Sequence, residues 1–251
     1  PSSVKRQSIC LHATTLTVNR IDECTDPFQP FTEPEYNPAL RQVIFRLADG
    51  NSIETVFIPE DDRGTLCISS QAGCMLTCNF CATARQGFSR NLSASEIIGQ
   101  LLLADQLLKR DGLGSRPVSN VVMMGMGEPL DNYEEVVKAL RLMVSPHAMK
   151  ISNRKVTLST SGLIDKIKRF EKENLHVNLA ISLNATESST RTNIMPINKS
   201  HSIECLLDTL RTYPLKATRR LTFEYVLLKG INDSYEDAAR LAKMLHGFKC
   251  K

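Results

Sequence analysis

Short β-branched runs alternate with amphipathic helical patterns from residue 66 to the end of the chain. Five such strand–helix units in series predict an α/β fold with a parallel sheet, right-handed crossovers and the curl of a partial barrel. Ser93 and Glu96 have the spacing of a capping box, which starts the first helix near Ala94. The predicted strands are 66–69, 120–124, 155–159, 177–183 and 220–228, and the later helices begin at 133, 163, 203 and 235.

The segment before these units predicts a β-hairpin after an irregular lead-in. Prolines at 27, 30, 34 and 38 and the lack of a sustained period argue against regular structure in residues 1–40. Residues 43–47 and 53–58 are β-rich and flank an Asp49-Gly50 turn signal, which is typical of an antiparallel hairpin. We therefore expect two parts, a lead-in with hairpin over 1–62 and a partial (β/α) barrel over 63–251.

Composition limits the class of protein. The chain has 251 residues, of which 42% are hydrophobic, enough for one α/β barrel or two small domains. Its net charge of +4 permits a polyanionic partner but falls short of a dedicated nucleic-acid coat. No apolar run reaches the length that spans a bilayer, and there is no secretory signal, so we expect a protein of the reducing cytoplasm without membrane association.

Three of the eight cysteines form a compact motif. Cys74, Cys78 and Cys81 have the spacing C-x3-C-x2-C within one predicted loop. Three thiolates are one ligand short of a closed zinc site or an all-cysteine 4Fe-4S cluster, so a metal centre held by them keeps an open position. The alternatives are a zinc knuckle completed by a distant Cys or His, or a trio of buried core cysteines.

The loops that follow the predicted strands carry further polar groups. In parallel sheets ligands bind at the carboxyl ends of the strands. The second strand ends in Gly-Met-Gly-Glu-Pro at 125–129, whose glycines would allow close backbone approach to a ligand and whose Glu128 offers a carboxylate. The third ends at Ser159 and the fourth in Ser182-Leu-Asn184, hydroxyl and amide groups suited to a ribose or a carboxylate. An ordinary tight turn and caps of the next helices are the structural alternatives.

Six segments together match one family pattern. They are residues 58–63, 65–74, 86–92, 120–130, 156–162 and 195–199. With them the chain, from about residue 43 to its end, resembles the RlmN/Cfr family of radical S-adenosylmethionine (radical SAM) RNA methyltransferases. The Pro-Glu-Asp-Asp-Arg and Gln-Gly-Phe segments are more similar to the branch that methylates adenine C2 than to the branch that methylates C8.

The resemblance implies two cofactors, a 4Fe-4S cluster and S-adenosylmethionine. It assigns the cluster to Cys74, Cys78 and Cys81, and S-adenosylmethionine to Gly127, Glu128, Ser159, Ser182, Leu183 and Asn184. Asn184 stands where the family usually has His, and its amide can still donate and accept hydrogen bonds.

The resemblance also implies two catalytic residues. Cys67 matches the cysteine that releases the product from a mixed RNA–protein adduct and forms a disulfide, and Glu54 matches the base that removes a proton from the adenine carbon. Strand alternation puts Glu54 on the face of Val56 and Ile58. From the residues alone, Cys67 is more simply a buried core residue and Glu54 a solvated edge-strand glutamate.

One element of the family pattern is absent from these 251 residues. The family's methyl-carrying cysteine lies in a Gly-Asp-Asp-Ile-Asp-Ala-Ala-Cys-Gly segment, which this sequence does not contain. Cys250 matches a position just before the last barrel strand. We therefore expect a barrel that is truncated before that strand and open at its edge.

The implied substrates are an adenine of large-subunit rRNA and an anticodon-loop adenine of tRNA. A flavodoxin-like or ferredoxin-like electron donor and a monomeric state complete the expectation. Arg85, Arg90, Arg154 and Lys155 are candidate RNA contacts near the catalytic end, or ordinary solvated charges. A radical SAM enzyme with another substrate, and a non-catalytic iron–sulfur or RNA-binding protein, are the alternative functions.

Overall fold

The computed structural model describes residues 17–23, 41–61 and 63–251. Its strands are β1 (Thr17–Glu23), β2 (Arg41–Arg46), β3 (Ser52–Pro59), β4 (Gly64–Cys67), β5 (Gln71–Gly73), β6 (Phe88–Asn91), β7 (Asn120–Met123), β8 (Val156–Thr160), β9 (Asn178–Ser182) and β10 (Thr222–Glu224). Its α-helices are α1 (Ala82–Gln86), α2 (Ala94–Arg110), α3 (Tyr133–Val144), α4 (Ile164–Glu171), α5 (Ser188–Ile194), α6 (Ile203–Arg211) and α7 (Tyr235–Leu245). Short 3₁₀ helices span Asn153–Lys155 and Pro196–Lys199.

Eight of the strands form one sheet in the order β1-β2-β3-β4-β7-β8-β9-β10. Pairing is antiparallel from β1 to β4 and parallel from β4 to β10, so five parallel strands follow an antiparallel hairpin as predicted. The predicted parts 1–62 and 63–251 meet inside this sheet, at the antiparallel pair β3–β4. β5 and β6 form a separate two-stranded sheet.

The hairpin forms where the turn signal predicted it. Gly50 has a φ of 87°, and the Asn51 N–H donates to Asp49 Oδ1 over 3.0 Å. The positive φ favours glycine at this position. The register Ile44↔Glu54 and Val56↔Cys67 then continues the hairpin into β4. Because β3 runs antiparallel to β4, Glu54 lies toward the carboxyl end of β4.

The prediction of an irregular lead-in was wrong for residues 17–23, which form β1 and pair with β2. The proline-rich stretch that motivated the prediction lies outside the described residues. The hydrogen bonds of β1 come from β2, a long-range partner that a local pattern cannot reveal.

The two faces of the parallel sheet differ in chemistry. Leu66, Val121, Leu158 and Ile181 are fully buried among the helix-facing apolar side chains. On the opposite side, register and alternation align Cys67, Val122, Thr157, Ser159, Ser182 and Glu224. We call this second side the inner face.

The edge beside β10 carries more pairing than expected. Leu221 and Cys250 form a parallel bridge, in which the Lys251 N–H donates to Leu221 O and the Phe223 N–H to Lys251 O, over 2.9 and 3.0 Å. This bridge covers part of the β10 edge, and the sheet of the described residues is not closed into a full barrel, which agrees with the expected partial barrel.

β10 ends at Glu224, several residues earlier than the predicted strand 220–228. Beyond it the backbone bonds to side chains: Val226 N–H donates to Asn184 Oδ1 over 2.9 Å, and Asn232 Nδ2 donates to Val226 O over 2.8 Å. The side-chain amides of Asn184 and Asn232 take the place of the backbone partners that a neighbouring strand would supply. The apolar residues after Glu224 therefore form a loop. In the described part of the chain no helix is both long and apolar enough to cross a membrane.

A buried glutamine connects α2 to the sheet. Gln100 Oε1 accepts from Ser69 N–H and from Thr55 Oγ1 over 2.8 and 2.9 Å, and its Nε2 donates to Ser69 O over 2.9 Å. All three residues are buried. The capping box of Ser93 and Glu96 forms as predicted at the start of the same helix.

We expect Gln100→Leu to lower the free energy of unfolding by about 2–4 kcal/mol, because it leaves three buried polar groups without partners. Urea denaturation followed by circular dichroism measures the change. Gln106→Leu, an exposed substitution on the same helix, is the matched control and should change stability little. Equal effects of the two variants would contradict the structural role of Gln100.

Candidate functional site

A cavity of about 450 Å³ lies where β7, β8, β9 and β10 end. This size is within the range of about 300–1,000 Å³ that is typical of small-molecule sites. The location at the carboxyl ends of parallel strands is the one that the fold class predicts. Of the predicted site residues, those that line it are Cys74, Cys78, Cys81, Gly127, Glu128, Ser159, Ser182 and Asn184.

Three predicted site residues do not line this cavity: Glu54, Cys67 and Leu183. The Leu183 side chain packs with Ile203 and Leu207 in a buried apolar cluster. Its N–H donates to Glu224 O over 2.9 Å, and its carbonyl accepts from Arg191 Nε over 3.0 Å. The polar groups of Leu183 are thus used within the fold.

The cysteine loop is attached to the barrel at several points. Cys74 N–H donates to Gly87 O over 3.0 Å, and Asn79 N–H donates to Ile194 O over 2.9 Å. Cys78 packs against the apolar cluster of Ala185, Ile194 and Met195. The loop therefore holds its thiols at the cavity by contacts both to its own hairpin and to the end of α5.

The environment of the thiols favours their neutral form while they are unligated. The pKa of Cys74 is raised to about 11 and that of Cys78 to about 12, mainly by burial, with contributions from Glu128 and the neighbouring cysteines. Iron binds thiolates, so ligation at neutral pH would release the thiol protons. The positive charge of the metal would then stabilise the thiolates.

The arrangement of the metal-binding side chains distinguishes between the metal centres that the sequence allows. Among the described His, Cys, Asp and Glu side chains, no three converge as a single-ion site requires. Of the described cysteines, three line one cavity, and three thiolates fit a 4Fe-4S cluster with an open position.

The two glycines after β7 have a structural explanation that differs from the expected one. A Cβ at Gly125 would lie 2.8 Å from backbone atoms of Ile68, and a Cβ at Gly127 would lie 2.5 Å from the Gln71 side chain. Gly127 also has a φ of 95°. The glycines thus allow close packing onto the segment before the cysteine loop, and not only approach to a ligand.

Glu128 is a buried carboxylate at the cavity wall. One carboxylate oxygen accepts from Leu130 N–H over 3.1 Å and the other from Ser161 N–H over 2.8 Å. Burial raises the pKa of Glu128, and these backbone donors oppose that effect. Glu128 therefore places a hydrogen-bonded carboxylate at the wall of the cavity.

Asn184 adopts a left-handed φ of 59°, a conformation that Asn tolerates better than most residues. Its Oδ1 accepts from Val226 N–H over 2.9 Å, and its Nδ2 contacts Met195 Sδ over 3.3 Å. The amide joins the ends of β9 and β10, so its described hydrogen bonds serve the fold beside the cavity.

Cys67 and Glu54 lie at the same carboxyl edge, on the inner-face side of the sheet. Cys67 ends β4 opposite Val56, and Glu54 is two residues further along β3, at a strand spacing of roughly 7 Å. The pKa of the Cys67 thiol is raised to about 11, mainly by burial, with a smaller contribution from the Glu224 carboxylate. Glu54 is half-buried.

Sequence reasoning missed Glu224. Its Oε2 accepts from the hydroxyls of Ser159 and Ser182 over 2.9 and 3.1 Å, and the residue lines the cavity. The sequence signal that could have identified Glu224 was a single carboxylate within an apolar strand pattern. The predicted strand ran on to residue 228, which placed Glu224 in the middle of the strand and not at its end.

Arg191 was also missed. It is fully buried in α5, and its guanidinium donates to three carbonyls, those of Ser161, Ser182 and Leu183, over 2.7, 3.1 and 3.0 Å. Burial lowers the pKa of Arg191 to about 10, so it stays charged at neutral pH. One side chain thereby ties the ends of β8 and β9 together below the cavity.

The four candidate RNA-binding residues lie at different places in the fold. Arg154 and Lys155 precede β8 and lie at the amino ends of the strands, so their expected place near the catalytic end was wrong. Arg90 forms ion pairs with Asp49 and Glu96. Arg85 is in the last turn of α1, directly after the cysteine loop.

The fold and site define a class of enzyme. The radical SAM superfamily matches residues 68–242, and the chain belongs to this superfamily. Radical SAM enzymes use a 4Fe-4S cluster and S-adenosylmethionine, the two cofactors that the family resemblance implied.

The chain is also similar to individual RNA methyltransferases. The chain is 49% identical over 216 residues to the probable dual-specificity RNA methyltransferase RlmN of Aquifex aeolicus, covering 85% of this chain and 61% of that protein. It is 48% identical over 209 residues to the dual-specificity RNA methyltransferase RlmN of Syntrophobacter fumaroxidans, with 83% and 59% covered. The chain thus spans about 60% of the length of these curated relatives.

A solved structure is similar as well. The crystal structure of a radical SAM methyltransferase from Sphaerobacter thermophilus superposes with a TM-score of 0.84 and 38% identity. The match covers 94% of this chain and 65% of that one. The predicted family resemblance and the partial-barrel fold are confirmed.

We expect Arg191→Lys to lower the free energy of unfolding by about 2–4 kcal/mol, because a single ammonium cannot reach carbonyls that the planar guanidinium spans. Urea denaturation is the measurement. Arg110→Lys, at the exposed end of α2, makes the same chemical change on the surface and should be neutral. A neutral Arg191→Lys would show that the carbonyl contacts contribute little.

Proposed function

We propose that this chain is the radical SAM core of an RNA methyltransferase that modifies C2 of adenine in large-subunit rRNA and in tRNA. One observation carries the proposal: the three cysteines and the polar ends of four parallel strands surround the same cavity. The similarity to dual-specificity RNA methyltransferases supports the reaction and the RNA substrates.

Within this proposal Cys74, Cys78 and Cys81 hold the cluster. The cavity then continues from the thiols toward Glu128, Ser159 and Ser182, which bind S-adenosylmethionine together with Gly127 and Asn184. Leu183 contributes through its backbone position between Ser182 and Asn184 only. When bound, the two cofactors supply one-electron chemistry, which a ring carbon without a nucleophilic lone pair requires.

The chain's own residues provide positioning and proton transfer. Glu54, at the carboxyl edge of the sheet, accepts the proton from the adenine carbon. Cys67 resolves the adduct between RNA and a methyl-carrying cysteine outside the residues of this chain, and it becomes part of a disulfide. Because its thiol pKa is raised to about 11, Cys67 has to lose its proton to a base before it attacks.

The proposal extends to partners. The formal charge of +4 is compatible with an RNA substrate, and Arg85 beside the cysteine loop is the basic residue best placed to meet it. We further propose a flavodoxin-like or ferredoxin-like electron donor, a monomeric state and a cytoplasmic location.

Anaerobic reconstitution should give a 4Fe-4S centre, and Cys74→Ala, Cys78→Ala and Cys81→Ala should each lose it, because the cluster needs all three thiolates. Iron and sulfide content with absorbance spectra measures the loss. Cys205→Ala, which removes an exposed thiol from α6, is the control and should retain the cluster. A stoichiometric zinc site that persists without iron would contradict the assignment.

In a protein that also carries the methyl-transferring cysteine, Cys67→Ala should assemble the cluster and cleave S-adenosylmethionine but accumulate RNA bound covalently to the protein. Cys67 acts only after the new carbon–carbon bond has formed, so earlier steps should survive. Glu54→Gln should likewise spare cluster assembly and block proton removal. Mass spectrometry of the RNA and of the protein–RNA adduct distinguishes the two.

Cys205→Ala again provides the matched control, with methyladenine formed at the wild-type rate. Methyladenine made at that rate by Cys67→Ala would exclude Cys67 as the resolving residue. Normal product from Glu54→Gln would exclude Glu54 as the base.

A further inference from the structure

We propose that Glu224 is a cofactor-binding residue whose negative charge makes the cavity prefer a cationic ligand, S-adenosylmethionine, over its uncharged-sulfur analogue S-adenosylhomocysteine. The inference deepens the proposed function and rests on it. It concerns a residue that the family resemblance did not assign.

The geometry begins with the two serines. Ser159 at β8 and Ser182 at the end of β9 both direct their hydroxyl protons to Oε2 of Glu224, over 2.9 and 3.1 Å. A hydroxyl has one proton to donate. Once that proton is given to Glu224, each serine oxygen can only accept a hydrogen bond from a ligand in the cavity.

Glu224 itself remains available to a ligand. Both described hydrogen bonds to its side chain use Oε2, and it lines the cavity at the end of β10. The three side chains therefore form one acceptor set, which can bind ribose hydroxyls or an ammonium group but offers no donor to an anion.

The charged residues around the cavity also favour a cationic ligand. Among the described residues that line it, two carry carboxylates, Glu128 and Glu224, and none is Lys or Arg. The buried cation nearby, Arg191, directs its hydrogen bonds to backbone carbonyls and Asn198. A partly buried cavity with this balance favours a ligand with positive charge, because charges interact more strongly away from bulk water.

A comparison of S-adenosylmethionine with S-adenosylhomocysteine isolates the effect of the Glu224 charge on ligand binding. They share the adenosine and amino-acid groups, but only the first carries a positive sulfonium. The serine oxygens should contribute equally to both ligands, whereas the charge of Glu224 should favour the sulfonium.

The test is equilibrium binding of both ligands to the anaerobically reconstituted holoprotein. Glu224→Gln retains an oxygen for the serine hydroxyls and removes the charge. It should reduce the preference for S-adenosylmethionine over S-adenosylhomocysteine by roughly tenfold, which corresponds to about 1.4 kcal/mol. Glu236→Gln, an exposed change of the same charge on α7, should leave the preference unaltered.

A double variant, Ser159→Ala with Ser182→Ala, separates charge from hydrogen bonding. It keeps Glu224 and should weaken both ligands by similar factors, with the preference retained. This variant also tests the inference if Glu224→Gln loses its cluster, since a lost preference in the presence of Glu224 would refute it.

An unchanged preference in Glu224→Gln would overturn the inference while the proposed function stands. A wild-type holoprotein that binds neither ligand would contradict the proposed function, and the inference with it.

Discussion

The site depends on the hydrogen bonds that join the segment before the cysteine loop to the loop after β7. Ser70 and Gln71 both donate their N–H groups to Met126 O, over 2.9 and 3.1 Å, and Gln71 Oε1 accepts from Glu128 N–H over 3.0 Å. Gly127 permits this contact because any larger residue would meet Gln71. The cysteine loop and Glu128 are therefore positioned relative to each other by hydrogen bonds within the fold.

Two oppositely charged side chains organise the remaining wall of the cavity. Arg191 donates hydrogen bonds to the carbonyls at the ends of β8 and β9. Glu224 accepts hydrogen bonds from the hydroxyls of Ser159 and Ser182. Carbonyl oxygens interact favourably with a cation, and hydroxyl protons with an anion. Arg191 therefore holds the backbone of these strand ends, and Glu224 holds their serine side chains. The pairing leaves Ser159 and Ser182 oriented as acceptors.

The hairpin extends the site beyond the parallel sheet. Antiparallel pairing of β3 with β4 brings Glu54 to the edge at which Cys67 ends. The two proposed catalytic residues thus lie beside the cavity and not within it. In the proposed function, the RNA base would approach at this edge, since the cavity itself has the size of a small-molecule site.

The local pattern of the sequence determined the five strand–helix units, the hairpin, the capping box and the cysteine spacing, because each depends on residues close in the chain. Only the tertiary structure decided that β1 pairs with β2, that β10 stops at Glu224 and that Arg154 lies at the opposite end from the cavity. Those outcomes rest on partners far apart in sequence, such as the Asn184 amide that bonds to the chain after β10. Glu224 and Arg191 escaped prediction for the same reason: each acquires its role only from the strand ends that the fold brings around it.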